Sequence, residues 1–346
     1  MSLLTTRRGR TATVLAVATA AALAVAGCSS SKTNSSGNGS STGGKVAIVA
    51  YSVPKPAYDA LETAFKATST GSGVSFSASY GASGSQSKAV SSGQPADFVN
   101  FSTGSDMTKL VPKFVAADWN SGSTKGIVSD SVVVIVVRKG NPKHITGWDD
   151  LIKPGIKIVT PDPASSGSAK WNILAAYEHV ISDGGTEAQA QDYLTKFFKN
   201  VVAKPSSGST ATSTFTSGTG DVLISYESEA IAARVKGASV DYVVPNESML
   251  IETPAAVTVN ANQAAKNFLA FALSTAGQQI FAEKGFRPAV SGVSVSSVAG
   301  ANDPSNAYPT VSKLTTISEL GGWSAVNTKF FDASTGIDTK IETASG

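Results

Sequence analysis

Small polar residues stand at four points of this chain where an apolar run gives way to a helical pattern. A helix start exposes main-chain N–H groups that have no partner within the helix, together with the positive end of the helix dipole. Glycine and serine let an anion approach those N–H groups, and serine adds a hydroxyl donor. The positions are Ser52, 81–85 (GASGS), 165–168 (SSGS) and 206–210 (SSGST). A single loop of this composition is explained by the turn residues and the helix cap that every strand-to-helix loop needs. Four of them together predict a shared oxyanion site.

The donors at these loops are neutral, and this indicates which anion they favour. Sulfate is fully ionised near neutral pH and only accepts hydrogen bonds, whereas phosphate usually keeps one proton that needs an acceptor. A site made only of donors should therefore favour sulfate, because a phosphate O–H would face another donor. Since no histidine is predicted in the site, sulfate affinity should be nearly constant from about pH 5 to 8.

An α/β fold with parallel sheets is expected to position these loops, because strand patterns alternate with helical patterns along the chain. Ligands of such sheets lie at the carboxyl ends of strands, near helix N-termini. Glu227 and Glu229 are expected to place acidic charge at the start of their helix. The predicted strands are KVAIVAYS, VSFSASY, DFVNF, SVVVIVVRKG, GIKIVT, GDVLISYE, VDYVV and AAVTVN, and the predicted helices include PAYDALETAFKA, AQAQDYLTKFFKN, ESEAIAARVKG, NQAAKNFLAFALS and TAGQQIFAEKG.

The first 44 residues predict export and anchoring. Three arginines precede an apolar stretch at 11–26, which is too short for a spanning helix and is typical of a signal peptide. The run LAVAGC, ending at Cys28, resembles the bacterial lipobox, which implies cleavage before this cysteine and its lipidation. We therefore expect a signal peptide at 1–27 and a lipidated, flexible Gly/Ser tether at 28–44. The body would lie at the outer face of the cell membrane.

Composition narrows the classes of function. The chain has 346 residues, 41% of them hydrophobic, and a net charge of +3 without a basic run, which gives no support to nucleic-acid binding. Metal-ligand spacing of Cys and His, a P-loop and the Rossmann glycine pattern do not occur, so we expect no cofactor and no metal. SQSK matches an S-x-x-K nucleophile pattern, which keeps a serine acyl-enzyme using Ser85 and Lys88 as an alternative.

Several motifs together resemble the sulfate-binding proteins of bacterial ABC importers, in particular the actinobacterial sulfate-binding lipoproteins. They are SYGASGSQS, RKGNPKHITGWDDLIKPGIKIVTPDPASSGSAKWN, GDVLISYESEA, GFRP and LGGW. The resemblance implies a two-lobed periplasmic-binding-protein fold (type II), each lobe a sheet flanked by helices, with a hinge. It further implies a monomeric, non-catalytic protein that captures sulfate for a membrane permease and its ATPase, with thiosulfate as a second ligand. Molybdate and phosphate are the alternative ligands.

The resemblance also assigns residues and boundaries. Tyr226 stands where many relatives have a tryptophan, and a phenol accepts as well as donates. Lys170 and Ser209 stand where arginines are common, which implies a tuned affinity. Lobe I is expected at 45–130 plus 250–346, and lobe II at 131–249. The positions that match the family's ligand contacts are Ser52, Ser83, Gly167, Ser168, Gly208 and Tyr226, with Ser166 and Lys170 beside them. For Ser83 the resemblance implies that both the main-chain N–H and the hydroxyl donate to the ligand.

Overall fold

The computed structural model describes residues 43–345. The predicted signal peptide and Cys28 therefore lie outside the described residues. Within 43–345, no helix combines the length and the apolar character that crossing a membrane requires. The strands are β1 (Gly44–Tyr51), β2 (Val74–Gly81), β3 (Phe98–Asn100), β4 (Ile127–Arg138), β5 (Ile158–Val159), β6 (Val201–Ala203), β7 (Val222–Tyr226), β8 (Val240–Val243), β9 (Glu247–Val257) and β10 (Lys313–Thr315).

Helices connect most of these strands, as the alternating pattern predicts. Two 3-10 helices, Trp148–Ile152 and Pro304–Asn306, add short turns. The α-helices are α1 (Lys55–Lys66), α2 (Ser83–Ser91), α3 (Gly104–Thr108), α4 (Gly167–Ser182), α5 (Glu187–Lys199), α6 (Gly208–Thr216), α7 (Glu227–Val235), α8 (Gln263–Ala272), α9 (Thr275–Glu283), α10 (Gly322–Phe330) and α11 (Ile337–Ser345).

The strands form one hydrogen-bonded series in the order β2-β1-β3-β9-β4-β7-β5-β6, with β10 beside β9 and β8 beside β4. β1 is parallel to β2 and β3, and β5 is parallel to β6 and β7. β9 and β4 instead run antiparallel to their neighbours in this series. The α/β class is confirmed, and the predicted parallel pairing holds at the two ends of the series, but β9 and β4 make the sheet mixed rather than parallel. A strand buried on both faces is a continuous apolar run whatever the direction of its neighbours.

The two long strands β4 and β9 join the two ends of the series. The first part of β4, up to Val132, pairs with β9, and the part from Val133 to Val137 pairs with β7. All six residues from Val132 to Val137 are buried, as expected for a central strand. The change of partner lies next to the predicted passage between lobes at residues 130 and 131, while the lobe boundaries themselves stay a prediction.

The C-terminal segment extends across the elements that carry the candidate site. α11 packs against α5, and α10 contacts α3. Phe330 of α10 meets the ring of Tyr177 of α4 edge to face, with 4.8 Å between ring centroids. The segment after residue 320 therefore supports α4 and α5, whereas the predicted boundaries place it in lobe I.

Candidate anion-binding site

Three helix starts carry most of the predicted site. α2, α4 and α6 begin at Ser83, Gly167 and Gly208, each after a strand, as the loop composition predicts. The N-cap residues of α2 and α4 make no side-chain hydrogen bond to their helices, whereas Ser207 caps α6 by accepting from the Thr210 N–H at 3.2 Å. The first turns of α2 and α4 therefore keep N–H groups without a side-chain cap, which is what an anion site at a helix start requires.

Gly167 and Gly208 approach other elements so closely that a Cβ at either position would force a neighbouring side chain to shift. A Cβ on Gly167 would lie 2.6 Å from Ser102 Oγ, and a Cβ on Gly208 would lie 2.9 Å from Ser168 Oγ and 3.3 Å from Val53 Cγ2. The starts of α4 and α6 and the loops after β1 and β3 thus meet. Residues that are far apart in the sequence therefore lie close together at this point of the structure.

Tyr226 is buried at the end of β7, and its hydroxyl lies 2.7 Å from Ser102 Oγ. Burial raises the pKa of Tyr226 above its usual range, and the hydroxyls of Ser102 and Ser168 offset part of that rise. The phenol is therefore neutral at physiological pH, and it links the start of α4 to the loop after β3.

The Ser83 hydroxyl has two protein partners. It donates to Asp106 Oδ2 at 2.7 Å and accepts from the Ser102 N–H at 2.9 Å. Because a hydroxyl has one proton, this arrangement leaves none for an anion. The sequence-based expectation that this hydroxyl donates to the ligand is not met in this conformation, and Ser83 offers its main-chain N–H.

Ser52, after β1, is joined to α6. The Ser209 hydroxyl donates to Ser52 Oγ at 2.7 Å. Both residues line a cavity of about 510 Å³, which also borders Lys55, Glu229 and Lys236. The cavity therefore opens beside the start of α6 and has a lysine on two different helices, α1 and the end of α7.

Ser166 and Lys170 lie beside the helix starts, as predicted. Ser166 is the buried N-cap residue of α4, and its main-chain N–H donates to the Asp162 carbonyl at 2.8 Å. Lys170 donates to Asn327 Oδ1 at 2.8 Å and lies 4.7 Å from the centre of the Phe331 ring. Burial lowers the pKa of Lys170, and its ammonium is directed to α10 rather than to the helix starts.

Sequence reasoning missed three residues of this cluster. The first is Ser102. The run FSTGS after β3 is a further strand-to-helix junction with small polar residues, and this signal could have identified it. Asp106 and Glu229 are the other two, and both are buried. Glu229 was expected only to charge its helix start, but its carboxylate bonds to the hydroxyls of Ser225 (2.8 Å) and Thr212 (3.2 Å).

The S-x-x-K pair lies elsewhere on the same helix. Ser85 and Lys88 are exposed on α2, whereas Ser83 and Ser87 of that helix are buried against Asp106. The chemistry that the buried cluster supports is binding of a small oxyanion by main-chain N–H groups and hydroxyls.

Comparison with known proteins agrees with this chemistry. Residues 46–287 match the model of a family described as bacterial extracellular solute-binding protein. A sulfate-binding protein of Synechococcus elongatus is 37% identical over 311 residues, covering 85% of this chain and 87% of that protein. A thiosulfate-binding protein of Pseudomonas aeruginosa is 32% identical, covering 69% of this chain and 77% of its own length.

A solved structure resembles most of this chain. It is the sulfate-binding protein SubI from Mycobacterium tuberculosis, with a TM-score of 0.77 and 43% sequence identity. The alignment covers 83% of this chain and 99% of that one.

Proposed function

Because this chain belongs to the bacterial extracellular solute-binding proteins and shares most of its length with sulfate-binding proteins, we propose that it captures sulfate outside the cytoplasm for an ABC importer. The predicted α/β periplasmic-binding-protein fold is confirmed by the SubI structure. One observation supports sulfate as the ligand. The starts of α4 and α6, at Gly167, Ser168 and Gly208, lie close to one another and to the neutral hydroxyls of Ser102 and Tyr226.

The site works by binding alone. A dianion at the helix starts is stabilised by main-chain N–H groups and by the dipoles of α2, α4 and α6. The proposed contacts remain Ser52, Ser83, Gly167, Ser168, Gly208 and Tyr226, with the change that Ser83 contributes its N–H. The chain is proposed to close as two lobes, because hydrogen bonds cross the proposed cleft from Gly84 N to Ser165 O and from Trp171 Nε1 to Ser102 O.

Thiosulfate is proposed as a second ligand, since relatives include proteins named for it and it offers similar oxygens.

Calorimetry of the purified full-length protein in detergent tests which anion the protein prefers. Sulfate is expected to bind tightest, and phosphate about ten- to a hundredfold more weakly, because a phosphate O–H leaves a hydrogen bond to a charged group unmade, at a cost of about 1.5–3 kcal/mol. Molybdate is measured alongside, with chloride at equal ionic strength as control. Phosphate or molybdate binding more tightly than sulfate would contradict the proposal.

The lipid anchor is a separate proposal that rests on the LAVAGC run and the Gly/Ser tether. Cys28→Ala is expected to abolish lipid labelling and to release the protein from the membrane fraction or leave it unprocessed. Labelling and fractionation of cells that express each variant measure this. Ser31→Ala, in the tether, should keep both the label and the membrane association, and lipid labelling that survives Cys28→Ala would refute the anchor.

A further inference from the structure

A histidine and two carboxylates meet at the end of α4 opposite to the proposed anion site. His179 lies in the last turn of α4, Asp183 is the C-cap residue of that helix, and Glu247 begins β9. One ring nitrogen or carboxylate oxygen of each residue lies within 4.8 Å of the corresponding atoms of the other two. Because Glu247 is 68 residues from His179, the spacing of residues in the sequence does not reveal the group.

The imidazole ring of His179 is buried and held in one orientation. The ring of Trp148 stacks on it with 6.4 Å between centroids, and the ring of Tyr193 meets it edge to face at 5.5 Å. Its Nε2 lies 3.2 Å from Asp149 Oδ1, and its Nδ1 lies 3.4 Å from Glu247 Oε2. Both ring nitrogens therefore face a carboxylate.

The hydrogen bonding of this ring leaves one contact to be explained. A carboxylate only accepts, so Nε2 carries a proton and donates it to Asp149. Nδ1 then presents a lone pair to Glu247 Oε2, and these two acceptors need a second proton or a metal ion between them. Two ligand atoms of a tetrahedral Zn²⁺ site are about 3.4 Å apart, since each lies about 2.0–2.1 Å from the ion. Histidines that bind metals commonly donate their other ring N–H to a carboxylate, as His179 does.

The charges around His179 favour the metal ion. Asp149, Asp183 and Glu247 carry three negative charges. Within the described part of the chain, Lys313 of β10 is the one lysine or arginine that pairs with them, bonding to Asp183 and lying 3.9 Å from Glu247. Two negative charges are therefore not compensated when His179 is neutral. The C-terminal end of α4 adds a partial negative charge, which also favours a cation.

We infer that His179 Nδ1, Glu247 Oε2 and a carboxylate oxygen of Asp183 bind one Zn²⁺ ion, with a water molecule as the fourth ligand. This site departs from the sequence-based expectation of no metal. Imidazole together with carboxylate suits Zn²⁺, whereas Ca²⁺ and Mg²⁺ prefer oxygen ligands. Lys313 releases Asp183 when the ion binds, and its side chain is 46% exposed, so it can move into the solvent. The ion joins the end of α4 to the start of β9 and thereby stabilises the fold.

Calorimetric titration of the full-length protein in detergent with Zn²⁺, after treatment with a chelator, tests the site. Wild type is expected to bind one ion through His179 and to unfold at a higher temperature when the ion is present. Co²⁺ is expected to give the visible absorption of a tetrahedral site. His179→Gln should lose this binding and this absorption, and it should keep sulfate affinity because the anion site lies at the other end of α4.

His144→Asn is the matched control. His144 is the only other histidine of the chain, and it is exposed. Its φ is 52°, a conformation that asparagine tolerates. This variant should bind Zn²⁺ and Co²⁺ as wild type does.

Two exposed positions keep the test independent of folding. Lys313→Met removes the cation that competes for Asp183, so it is expected to bind Zn²⁺ more tightly than wild type does. Asp149→Ala removes the carboxylate that orients His179 and is expected to bind Zn²⁺ about tenfold more weakly. The side chain of Asp149 is 85% exposed, so its loss should leave the fold intact.

The outcomes are distinct. Absence of Zn²⁺ binding by wild type, or equal binding by wild type and His179→Gln, overturns the inference and leaves a set of ion pairs around a protonated His179. Binding that Lys313→Met does not strengthen likewise places the ion elsewhere. Sulfate affinity should stay at the wild-type value in all four variants, so failure of the metal site leaves the proposed function standing.

Discussion

Gly167→Ala is expected to lower sulfate affinity by roughly ten- to a hundredfold, which corresponds to an overpacking cost of about 1–3 kcal/mol. The added Cβ would lie 2.6 Å from Ser102 Oγ, 2.7 Å from Ser102 Cβ and 2.9 Å from Thr103 Cγ2. Ser102 cannot easily move away, because its N–H donates to Ser83 and its carbonyl accepts from Trp171 Nε1. The substitution therefore separates the start of α4 from the loop after β3, where the proposed lobes meet.

The same substitution should not weaken the helix itself, since alanine favours helix formation more than glycine does. The clash lies where the proposed lobes meet, so its cost should fall on closure of the lobes rather than on the folding of either lobe. We therefore expect thermal unfolding without sulfate to occur near the wild-type temperature, while calorimetry shows the loss of binding. Gly147→Ala is the control, because a Cβ there meets no atom within 4 Å and its φ of −173° suits any residue. Wild-type affinity in Gly167→Ala would show that the close approach of α4 to Ser102 is not needed for binding.

Ser83→Ala is also expected to weaken sulfate binding about ten- to a hundredfold, but through the protein rather than through a lost ligand contact. Without the hydroxyl, the Ser102 N–H loses its partner, and Asp106 loses one of its donors. An unsatisfied buried group costs about 1–3 kcal/mol, so stability without sulfate should fall as well. The loop after β3 would shift, and with it the Ser102 hydroxyl that contacts Tyr226.

Thermal unfolding with and without sulfate, together with calorimetry, measures both effects of Ser83→Ala. Ser87→Ala is the matched control, since Ser87 is a buried serine on the same helix whose hydroxyl donates to the main-chain oxygen of Asp106 at 2.7 Å. It should lower stability and keep sulfate affinity. If Ser83→Ala weakens binding while stability without sulfate is unchanged, the hydroxyl donates to the anion directly, as the sequence alone suggests.

Part of the fold was predictable and part was not. The long β-branched run of β4 predicted a buried strand by its composition. In contrast, β6 and β10 have three residues each, and their sequences show no recognisable strand pattern. The predicted strand AAVTVN overlaps β9 only at its end, because β9 begins at Glu247 and ends at Val257. The acidic residues and Pro254 interrupt the apolar pattern of its earlier part, and a proline argues against a strand. Short strands are stabilised by neighbours in the sheet rather than by their own residues.

The site was predictable where it depends on local structure. Glycine and serine at Gly167, Ser168 and Gly208 mark helix starts, and a helix start has main-chain N–H groups that an anion can accept from. The functions of the carboxyl groups were not predictable. Glu227 and Glu229 are two residues apart on one helix, yet one meets Arg287 and the other faces Gly208.

The sequence by itself determined the order of the elements, the small polar loops and the resemblance to sulfate-binding proteins, because these are set by residues close together in the chain. Only the tertiary structure decided what each loop meets. Ser52 and Ser209 are 157 residues apart, and Ser102 and Tyr226 are 124 apart. Burial and charge at Glu229 likewise depend on α6 and β7 packing around it. The positions of the helix starts follow from local sequence, whereas the partners of the Ser83 hydroxyl and of the buried carboxyl groups are distant residues that only folding brings together.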